Sequence, residues 1–276
     1  MRRRTFSLVK PTASSKLILI PSYNTGAALL ERTVRGALEQ WRPVWVVIDG
    51  STDGSERPLQ ALARREPGLK VLVRSQNGGK GTAVGTGVEA ALAAGYRHAL
   101  LMDADGQHAA ERIPALMEAS EANPHALIMG APRFGPDAPA ARLRGRKLNN
   151  WWTNLETCRA GLGDTLFGMR VYPLQPLADV FRQTRWARGF DFDPEAAVRL
   201  FWSGVPPVQI PVPCRYLAKE EGGVSHFKYV RDNILLTWMH LRLVPEWLLA
   251  RFPSALRLKR TMASRSHQSL PAKAAS

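Results

Sequence analysis

Short apolar runs alternate with segments of helical periodicity along the first half of the chain. The runs are almost continuous in hydrophobicity and lie at residues 16–21, 44–49, 69–74, 98–103 and 125–130. The segments between them have apolar residues at helical spacing and occupy residues 26–40, 54–66, 81–95 and 110–123. Strands that are buried on both faces read as apolar runs, and intervening helices favour parallel pairing. The pattern predicts an α/β domain with a mostly parallel sheet and helices on both faces.

The pattern loosens beyond Gly130. Residues 131–145 are rich in proline and glycine, and we expect a loop there that acts as a mobile lid. Further elements are expected in the order helix, helix, strand and helix, at residues 147–161, within 190–204, at 206–218 and at 229–243. The last helix has a broad apolar face and is expected to stop near Pro245.

These elements divide the chain into two parts with tails. We expect the α/β domain at residues 15–227 and an amphipathic helical segment at residues 228–260. The polar ends, residues 1–14 and 261–276, are expected to be disordered tails.

The chain carries a formal net charge of +15 and has a sequence pI of about 10.6. Such a charge predicts attraction to anions, which include nucleic acid, anionic lipid and phosphate-bearing substrates. Cys158 and Cys214 lack the spacing of a zinc site or of a disulfide framework, in keeping with a reducing cytoplasm. The first apolar segment meets Pro21 too early for a signal peptide, and no stretch reaches the roughly 20 apolar residues of a spanning helix. We therefore expect neither export nor a membrane span.

Polar loops follow the predicted strands at their carboxyl ends, where ligands bind in open α/β sheets. Pro21, Tyr23 and Asn24 belong to the first of these loops, which can offer backbone groups to a nucleobase. Asp49 ends the second predicted strand and can accept hydrogen bonds from a nucleobase or from ribose hydroxyls. The sequence therefore predicts a nucleoside site at this edge of the sheet.

Asp103 and Asp105 stand at the carboxyl end of the fourth predicted strand. Residues at i and i+2 of an extended chain point to the same side, so the two carboxylates are expected to converge. Oxygen ligands of this kind suit Mg²⁺ or Mn²⁺, and Gln107 extends the alternation with a neutral oxygen. The alternative is a turn in which Asp105 merely caps the end of the strand.

A glycine-rich segment at residues 77–81, NGGKG, precedes a predicted helix. Its backbone N–H groups and the side chain of Lys80 are placed to meet an anion. The segment is not a P-loop, because Arg74 stands where the first glycine belongs and Gly81 where serine or threonine should follow. No GxGxxG motif follows the first strand, which argues against a dinucleotide site.

Several segments occur in an order that one enzyme family shares: IPSYNTG, VVIDGSTDGS, NGGKGTAVGTGVEAALAAG, LMDADGQH, GDTLFGMRVYP and RGFDFDPEAAVRLFWSG. In these segments the chain resembles family 2 glycosyltransferases of the GT-A fold, a Rossmann-like arrangement, and in particular the dolichyl- and polyprenyl-phosphate mannose synthases. The likeness extends from about Lys16 to Phe227. Two later segments, NNWWTNLET and RDNILLTWMH, are also similar to glycosyltransferases encoded beside bacterial aryl-polyene lipid genes.

The resemblance implies a metal-dependent transfer from a nucleotide sugar to a lipid-borne acceptor such as a polyprenyl phosphate. It places the donor nucleoside against Pro21, Tyr23 and Asp49. It assigns the binding of Mg²⁺ or Mn²⁺ to Asp103, Asp105 and Gln107. Asp164 matches a family position near the acceptor, with a role in a turn as the open alternative.

The chain departs from the family pattern at two places. Asp49 follows Ile48, so a single carboxylate stands where the family has an aspartate pair. The family's arginine ahead of its GxS element is also missing, and a Lys-Glu-Glu run stands there instead. We expect the phosphate to be bound by residues around this element, namely Arg215, Lys219, Ser225 and Lys228.

An inverting transfer to a hydroxyl requires a general base, whereas a phosphate acceptor is already an anion and requires none. Asp191 and Asp193 are the candidate catalytic residues. Asp193 precedes Pro194, which is the order of an N-cap and a first helical residue, so we favour capping for Asp193. Asp191 lies just outside that predicted helix and is the favoured base.

The C-terminal helical segment has the composition of an interfacial helix. Residues 229–252 combine aliphatic side chains and tryptophans with Arg231, Arg242 and Arg251. We therefore expect a cytoplasmic protein that is peripheral on the inner face of the cell membrane, with its basic residues on anionic lipid. The alternative is a helix whose apolar face packs on the α/β domain.

Two functions of other kinds stay open at this point. A basic nucleic-acid-binding protein would use the positive charge, but no RNA or DNA module is recognised and the loops at the expected site are acidic. We therefore expect no nucleic-acid partner. A nucleotidyltransferase of similar fold would use the same metal, but it would have a glycine-rich basic loop where this chain has PSYNTG.

Overall fold

The structure, a computed structural model, describes residues 15–135, 140–214 and 229–251. Its strands are β1 (Lys16–Ser22), β2 (Val44–Asp49), β3 (Leu69–Arg74), β4 (His98–Leu101), β5 (Leu127–Phe134), β6 (Arg170–Pro173) and β7 (Pro207–Cys214). Its α-helices are α1 (Ala27–Gln40), α2 (Glu56–Ala63), α3 (Lys80–Ala93), α4 (Ile113–Ala122), α5 (Ala140–Glu156), α6 (Leu174–Gln183), α7 (Phe192–Trp202) and α8 (Tyr229–Glu246). The expected tails lie outside the described residues.

The strands form one sheet in the order β3-β2-β1-β4-β6-β5-β7. β1 pairs in parallel with β2 and β4, β2 with β3, and β5 with β7. β6 runs antiparallel to both of its neighbours, β4 and β5. The prediction of an α/β protein with a mostly parallel sheet is confirmed.

Alternate side chains of β1 pack into two separate cores. Leu17 and Leu19 of β1 pack in one core with residues of α3, α6, α7 and α8. Ile18 and Ile20 point to the other face and pack in a second core with residues of α1, α2 and α4. Burying one such side chain contributes about 1.5–3 kcal/mol, so both faces need a helical layer. This explains why the strand runs are apolar throughout rather than alternating.

The expected loop at residues 131–145 is shorter than predicted, because a strand occupies its first residues and a helix its last ones. β5 continues through Phe134, and α5 already begins at Ala140. β7 pairs with β5 along its whole length, from Leu127 opposite Pro207 to Phe134 opposite Cys214. The extended backbone is thus stabilised by a strand some 80 residues away. Local composition, which is rich in proline, carries no sign of that partner.

β6 and α6 are elements that the sequence pattern missed. β6 has 4 residues, and it inserts between β4 and β5 with its side chains buried. A run this short resembles a loop or the start of a helix, and its antiparallel direction breaks the alternation of strand and helix.

α8 packs its apolar face on the α/β domain, which is the alternative that the sequence analysis gave to an interfacial helix. Leu236, Met239 and Leu243 are buried in the core that contains Leu17 and Leu19. The α-helix ends at Glu246, next to Pro245 as expected, and a π-helical turn, Trp247–Arg251, follows. Among the helices in the described ranges, none is long and apolar enough to cross a membrane.

Candidate active site

A cavity of about 570 Å³ opens at the carboxyl ends of β1, β2 and β4, where the sequence predicted a ligand site. Its volume lies in the range of small-molecule sites. The predicted site residues that line it are Pro21, Tyr23, Asp49, Lys80, Asp103, Asp105, Gln107 and Asp193. Asn24, Asp164 and Asp191 are not part of its lining. Arg215, Lys219, Ser225 and Lys228 lie outside the described residues.

The loop after β4 brings Asp103, Asp105 and Gln107 to the same cavity. The backbone N–H of Gln107 donates to Oδ1 of Asp105 at 3.0 Å, so Asp105 forms the turn that the alternative interpretation expected. The backbone N–H of Asp103 donates to Nδ1 of His108 at 3.1 Å. Asp105 therefore shapes the loop and still presents its carboxylate to the cavity. The two interpretations of the motif are compatible.

Gly168 allows the neighbouring loop to approach Asp103 closely. A Cβ atom at this position would lie 2.5 Å from Oδ2 of Asp103, which is closer than van der Waals contact permits. The residue lines the cavity beside Phe167. A side chain there would displace the carboxylate or the loop.

Lys80, the first residue of α3, lies between two carboxylates. Its Nζ is 2.5 Å from Oδ1 of Asp103 and 2.6 Å from Oδ2 of Asp193. Burial alone would lower the pKa of Lys80, but the charges of Asp103 and Asp193 outweigh burial and raise the pKa above its ordinary value. The sequence predicted an anion at Lys80. In the structure these carboxylates occupy that position.

The favoured roles of Asp191 and Asp193 are wrong in one respect. Asp191, not Asp193, is the N-cap residue of α7, although its side chain makes no capping hydrogen bond. Asp193 lies within the first turn, lines the cavity and pairs with Lys80. The helix begins two residues earlier than the Asp-Pro pair indicates, because proline is tolerated throughout the first turn, where its missing N–H has no helical acceptor.

Asp191 is turned away from the cavity. Its Oδ1 accepts a hydrogen bond from the N–H of Gly189 at 3.0 Å, and its Oδ2 lies 4.0 Å from Nη2 of Arg242. Burial raises the pKa of Asp191 above its ordinary value, and the charge of Glu195 adds to the effect. The geometry thus brings Asp193, and not Asp191, to Asp103.

Arg170 is a buried residue that supports the site and that the sequence analysis missed. Its guanidinium is fully buried and donates to the carbonyl oxygens of Asp193 at 2.7 Å and Phe167 at 3.0 Å. It also donates to the hydroxyl of Tyr172 at 3.0 Å and to the carbonyl of Thr165. Arg170 therefore ties the loop before β6 to the start of α7. An arginine inside the apolar run MRVYP was the available signal, because a buried guanidinium requires several acceptors.

Asp49 is buried and its carboxylate is held by the protein itself. Nε of Arg74 donates to it at 2.7 Å, and the backbone N–H groups of Gly78 and Gly79 donate at 3.0 and 2.9 Å. These bonds fasten the glycine-rich segment to the end of β2. Asp49 still lines the cavity, so its predicted contact with a nucleoside stays a prediction.

The first strand-end loop is fastened to the second. Oδ1 of Asn24 accepts a hydrogen bond from the N–H of Thr52 at 2.8 Å, and the N–H of Asn24 donates to Oγ of Ser51 at 3.1 Å. Asn24 adopts a left-handed conformation with φ of 47°, which asparagine tolerates better than most residues. Asn24 thereby shapes the loop that presents Pro21 and Tyr23 to the cavity.

Asp164 serves a turn in this structure. Its Oδ1 accepts a hydrogen bond from the N–H of Leu166 at 3.0 Å, and its Oδ2 lies 2.7 Å from Nη1 of Arg146. Arg146 lines the cavity from α5. Asp164 therefore has the turn role that the sequence analysis left open. It also pairs with the guanidinium of Arg146, a side chain that lines the cavity.

The carboxylates of the cavity fit a divalent cation that is shared with a substrate. Mg²⁺ is commonly held by one or two carboxylates together with substrate phosphates. Burial raises the pKa of Asp105, and the negative charge of Asp103 raises it further, so a cation between them would relieve both effects. Within residues 15–135, 140–214 and 229–251, no group of three or more His, Cys, Asp or Glu side chains is placed to hold a metal.

The sequence model described as Glycosyl transferase family 2 matches residues 17–171, more than half of the chain. The chain belongs to glycosyl transferase family 2. The matched part of this glycosyltransferase includes β1 to β5, the Asp103 loop and the first residues of β6. α7, which carries Asp193, and α8 lie beyond it.

Curated relatives cover most of the glycosyltransferase. The polyprenol monophosphomannose synthase of Mycolicibacterium smegmatis is 30% identical over 225 residues, which are 79% of this chain and 82% of the relative. The undecaprenyl-phosphate mannosyltransferase of Micrococcus luteus is 29% identical over 202 residues, which are 71% of this chain and 82% of the relative. The expected likeness to polyprenyl-phosphate mannose synthases is confirmed.

Solved structures of GT-A glycosyltransferases share the fold. A Pyrobaculum calidifontis mannosyltransferase in complex with GDP-Man and Mn²⁺ has a TM-score of 0.58 at 19% identity and covers 94% of this chain and 77% of its own. The glucosyl-3-phosphoglycerate synthase of Mycobacterium tuberculosis, with Mn²⁺, UDP-glucose and phosphoglyceric acid, has a TM-score of 0.57 at 16% identity. It covers 87% of this chain and 80% of its own. The GT-A fold expected from the sequence is confirmed.

Proposed function

We propose that this glycosyltransferase moves a sugar, with inversion, from a nucleotide-sugar donor to a lipid-linked acceptor, of which polyprenyl phosphate is the first candidate. The observation that carries the donor half is the convergence of Asp103, Asp105 and Gln107 in one cavity at the carboxyl edge of the sheet. The names of the two mannosyltransferase relatives, which both specify a polyprenol-linked acceptor, support the acceptor half.

In this proposal the nucleoside lies against Pro21, Tyr23 and Asp49, near the loop shaped by Asn24. Asp103, Asp105 and Gln107 hold Mg²⁺ or Mn²⁺, and Lys80 faces the diphosphate. When bound, the divalent cation supplies positive charge against the departing nucleoside diphosphate. The protein's own part is to orient these oxygens before the donor arrives: the N–H of Gln107 donates to Oδ1 of Asp105, and Lys80 pairs with Oδ1 of Asp103.

The opposite wall of the cavity has the mixed character that a lipid phosphate needs. α5 contributes Arg146, and α8 contributes Arg231 together with the apolar side chains of Leu235 and Leu236. Arginines suit a phosphate group, whereas leucines suit the first carbons of the lipid chain. Arg215, Lys219, Ser225 and Lys228 are proposed as further phosphate contacts. Asp164 contributes indirectly, through its ion pair with Arg146.

A phosphate acceptor attacks without a general base, so neither Asp191 nor Asp193 is needed as one in this proposal. Should the acceptor carry a hydroxyl instead, Asp193 is the better placed base, because it lines the cavity and Asp191 does not. Asp193 also has a buried oxygen, Oδ1, without a hydrogen-bond partner among the described residues.

An exposed apolar stripe on α5 and α8 supports a position at the membrane. We define the stripe by its exposed members, which are Leu148, Trp151, Leu155, Ile234, Trp238 and Leu241. The spacing on each helix is three or four residues, so each helix presents one side, while α8 buries its other side in the core. Large exposed apolar patches mark interaction sites. We propose that this stripe lies in the lipid surface on the cytoplasmic face of the cell membrane.

Only some of the described basic residues on α5 and α8 are exposed and able to face a membrane, whereas the sequence analysis expected all of those on α8 to do so. Arg231 is exposed and lines the cavity, while Arg144 and Lys147 are exposed on α5 near the start of the stripe. Arg242 points inward, where its Nη2 lies 3.1 Å from Oε2 of Glu195 and its guanidinium stacks on Trp186. A contact between Arg242 and the membrane, as expected from the sequence, is therefore wrong. The side chain of Arg251 lies outside the described residues.

A transfer assay tests the proposal. Purified protein is incubated with undecaprenyl phosphate in detergent, Mn²⁺ or Mg²⁺, and separately with GDP-mannose or UDP-glucose, and the lipid product is measured by mass spectrometry. We expect one of the two donors to give a lipid-linked sugar with the wild-type protein. The Asp105→Asn variant is expected not to form this product. If neither donor reacts while GDP or UDP binding is intact, the polyprenyl-phosphate acceptor is wrong.

A further inference from the structure

We propose that Lys80 holds the place of the divalent cation until the donor arrives, so that metal and nucleotide bind as a coupled pair. The inference rests on the metal and donor site of the proposed function. It adds a reason why metal and nucleotide bind together: the ammonium group of Lys80 and the divalent cation compete for the same carboxylate oxygen of Asp103.

The competition follows from the contacts of Lys80. Its Nζ lies 2.5 Å from Oδ1 of Asp103, and only 11% of its side chain is exposed. A cation that binds Oδ1 has to displace this ammonium, because both cannot occupy the same short contact. The displaced ammonium would keep only Asp193 of its two carboxylate partners, and losing one such partner in a buried site is costly. Metal without nucleotide is therefore expected to bind weakly.

A nucleoside diphosphate changes this balance. Its phosphates carry negative charge into the cavity and offer Lys80 a new oxygen in exchange for that of Asp103. Lys80 keeps its second contact, the one with Asp193 at 2.6 Å, while the exchange takes place. Each ligand then favours the other, and linkage makes the two effects equal in free energy.

Lys80 is suited to the exchange and its buried neighbour Arg170 is not. Arg170 is fixed by three backbone carbonyl oxygens and the hydroxyl of Tyr172, so it cannot leave without breaking them. Lys80 has a flexible stem and two side-chain partners, both carboxylates. It also stands at the N-terminus of α3, where the helix dipole disfavours a positive charge and an incoming anion is favoured.

The experiment measures Mn²⁺ binding rather than turnover. Full-length wild type, Lys80→Gln and Arg231→Gln are titrated with Mn²⁺ by electron paramagnetic resonance, alone and with saturating GDP or UDP. Arg231→Gln is the matched control, since it removes one positive charge from the same cavity at an exposed position on α8. Thermal unfolding verifies that each variant is folded.

For wild type we expect weak Mn²⁺ binding that a nucleoside diphosphate tightens about tenfold or more. Lys80→Gln should tighten Mn²⁺ binding in the absence of nucleotide and reduce the tightening that the nucleotide causes. Lys80→Arg, which keeps the charge, should stay close to wild type and serves as the informative variant if Lys80→Gln does not fold.

The outcomes separate the two proposals. If wild type binds no Mn²⁺ with or without nucleotide, the metal assignment of Asp103 and Asp105 fails and the inference falls with it. If wild type shows coupled binding but Lys80→Gln matches Arg231→Gln in both measurements, the metal site stands and the role of Lys80 is overturned. If Lys80→Arg binds Mn²⁺ alone as tightly as Lys80→Gln, the competition is likewise refuted.

Discussion

The carboxylate of Glu156 on α5 lies 2.9 Å from Nδ1 of His240 on α8, and both side chains are almost completely buried. Nε2 of His240 faces Oδ1 of Asn149 at 3.2 Å, and Trp152 stacks on the imidazole ring. The pair thus joins the two helices that carry the apolar stripe and that line the cavity with Arg146 and Arg231. It adds a buried polar contact to the apolar packing of Leu236, Met239 and Leu243 that docks α8 on the core.

His240→Phe is expected to destabilise the protein by about 1–3 kcal/mol, because it removes the hydrogen-bond partner of the buried Glu156 carboxyl, whose pKa burial already raises. The double variant His240→Phe/Glu156→Leu should recover most of the loss, since no buried carboxyl is then left without its partner. Urea unfolding measures both. A double variant as unstable as the single one would show that packing of the ring, and not the hydrogen bond between His240 and Glu156, sets the effect.

Asp105→Asn is expected to keep the fold and to lose metal-dependent nucleotide binding. The amide still accepts from the N–H of Gln107, so the loop is preserved, but one anionic ligand is removed. A thermal-shift titration with GDP or UDP, with and without Mn²⁺, measures the change. Glu118→Gln, at an exposed position on α4, is the control. Unchanged Mn²⁺-dependent stabilisation in Asp105→Asn would refute the assignment.

Asp193→Asn is expected to reduce turnover more than Asp191→Asn, because Asp193 lines the cavity and neutralises Lys80. With a phosphate acceptor the loss should stay below about a hundredfold, since no general base is removed. A loss of about 10²–10⁴-fold would indicate a hydroxyl acceptor with Asp193 as its base. The reverse ranking of the two variants would restore Asp191 as the catalytic residue.

Asp191→Asn is expected to stabilise the protein at neutral pH. Burial raises the pKa of Asp191, so the ionised form destabilises the folded state above that pKa, and the penalty fades as pH falls towards the ordinary value of 3.8. The gain in Tm of the variant should therefore be largest near pH 7 and shrink on acidification.

Asp53→Asn provides a control of opposite sign for Asp191→Asn. Burial opposes ionisation of Asp53, but hydrogen bonds from Ser55 and Gly26 outweigh it and lower the pKa. Asp53→Asn should lose stability at neutral pH, and the loss should fade as pH falls through the lowered pKa. Parallel pH profiles for the two variants would contradict the opposite environments of these carboxyl groups.

Trp151→Gln/Trp238→Gln is expected to weaken binding to anionic liposomes, because the stripe loses its two largest apolar side chains. Co-sedimentation with vesicles of graded anionic content measures the effect. Val73→Gln is the control, since Val73 is also exposed but lies on β3, the strand at one edge of the sheet. If wild type ignores anionic vesicles at low salt, the membrane position is wrong.

Much of the fold and part of the site follow from local patterns. Continuous apolar runs such as residues 44–49 require two helical layers wherever they pair, so the α/β class depends little on long-range detail. Asp103, Asp105 and Gln107 reach one cavity because they lie close together in the short loop after β4, which turns at Asp105. Local spacing was sufficient for these features.

Partners that are distant along the chain determined the rest. β7 converts a proline-rich stretch into strand by pairing with β5, and α7 brings Asp193 to Lys80 across 113 positions. α8 has one apolar face buried in the core and another exposed to solvent. The hydrophobicity of the sequence does not tell which of the two faces is buried. These features depend on contacts between residues that are far apart in the sequence. Such contacts stabilise the protein only after the intervening loops have closed, so a short segment of sequence does not predict them.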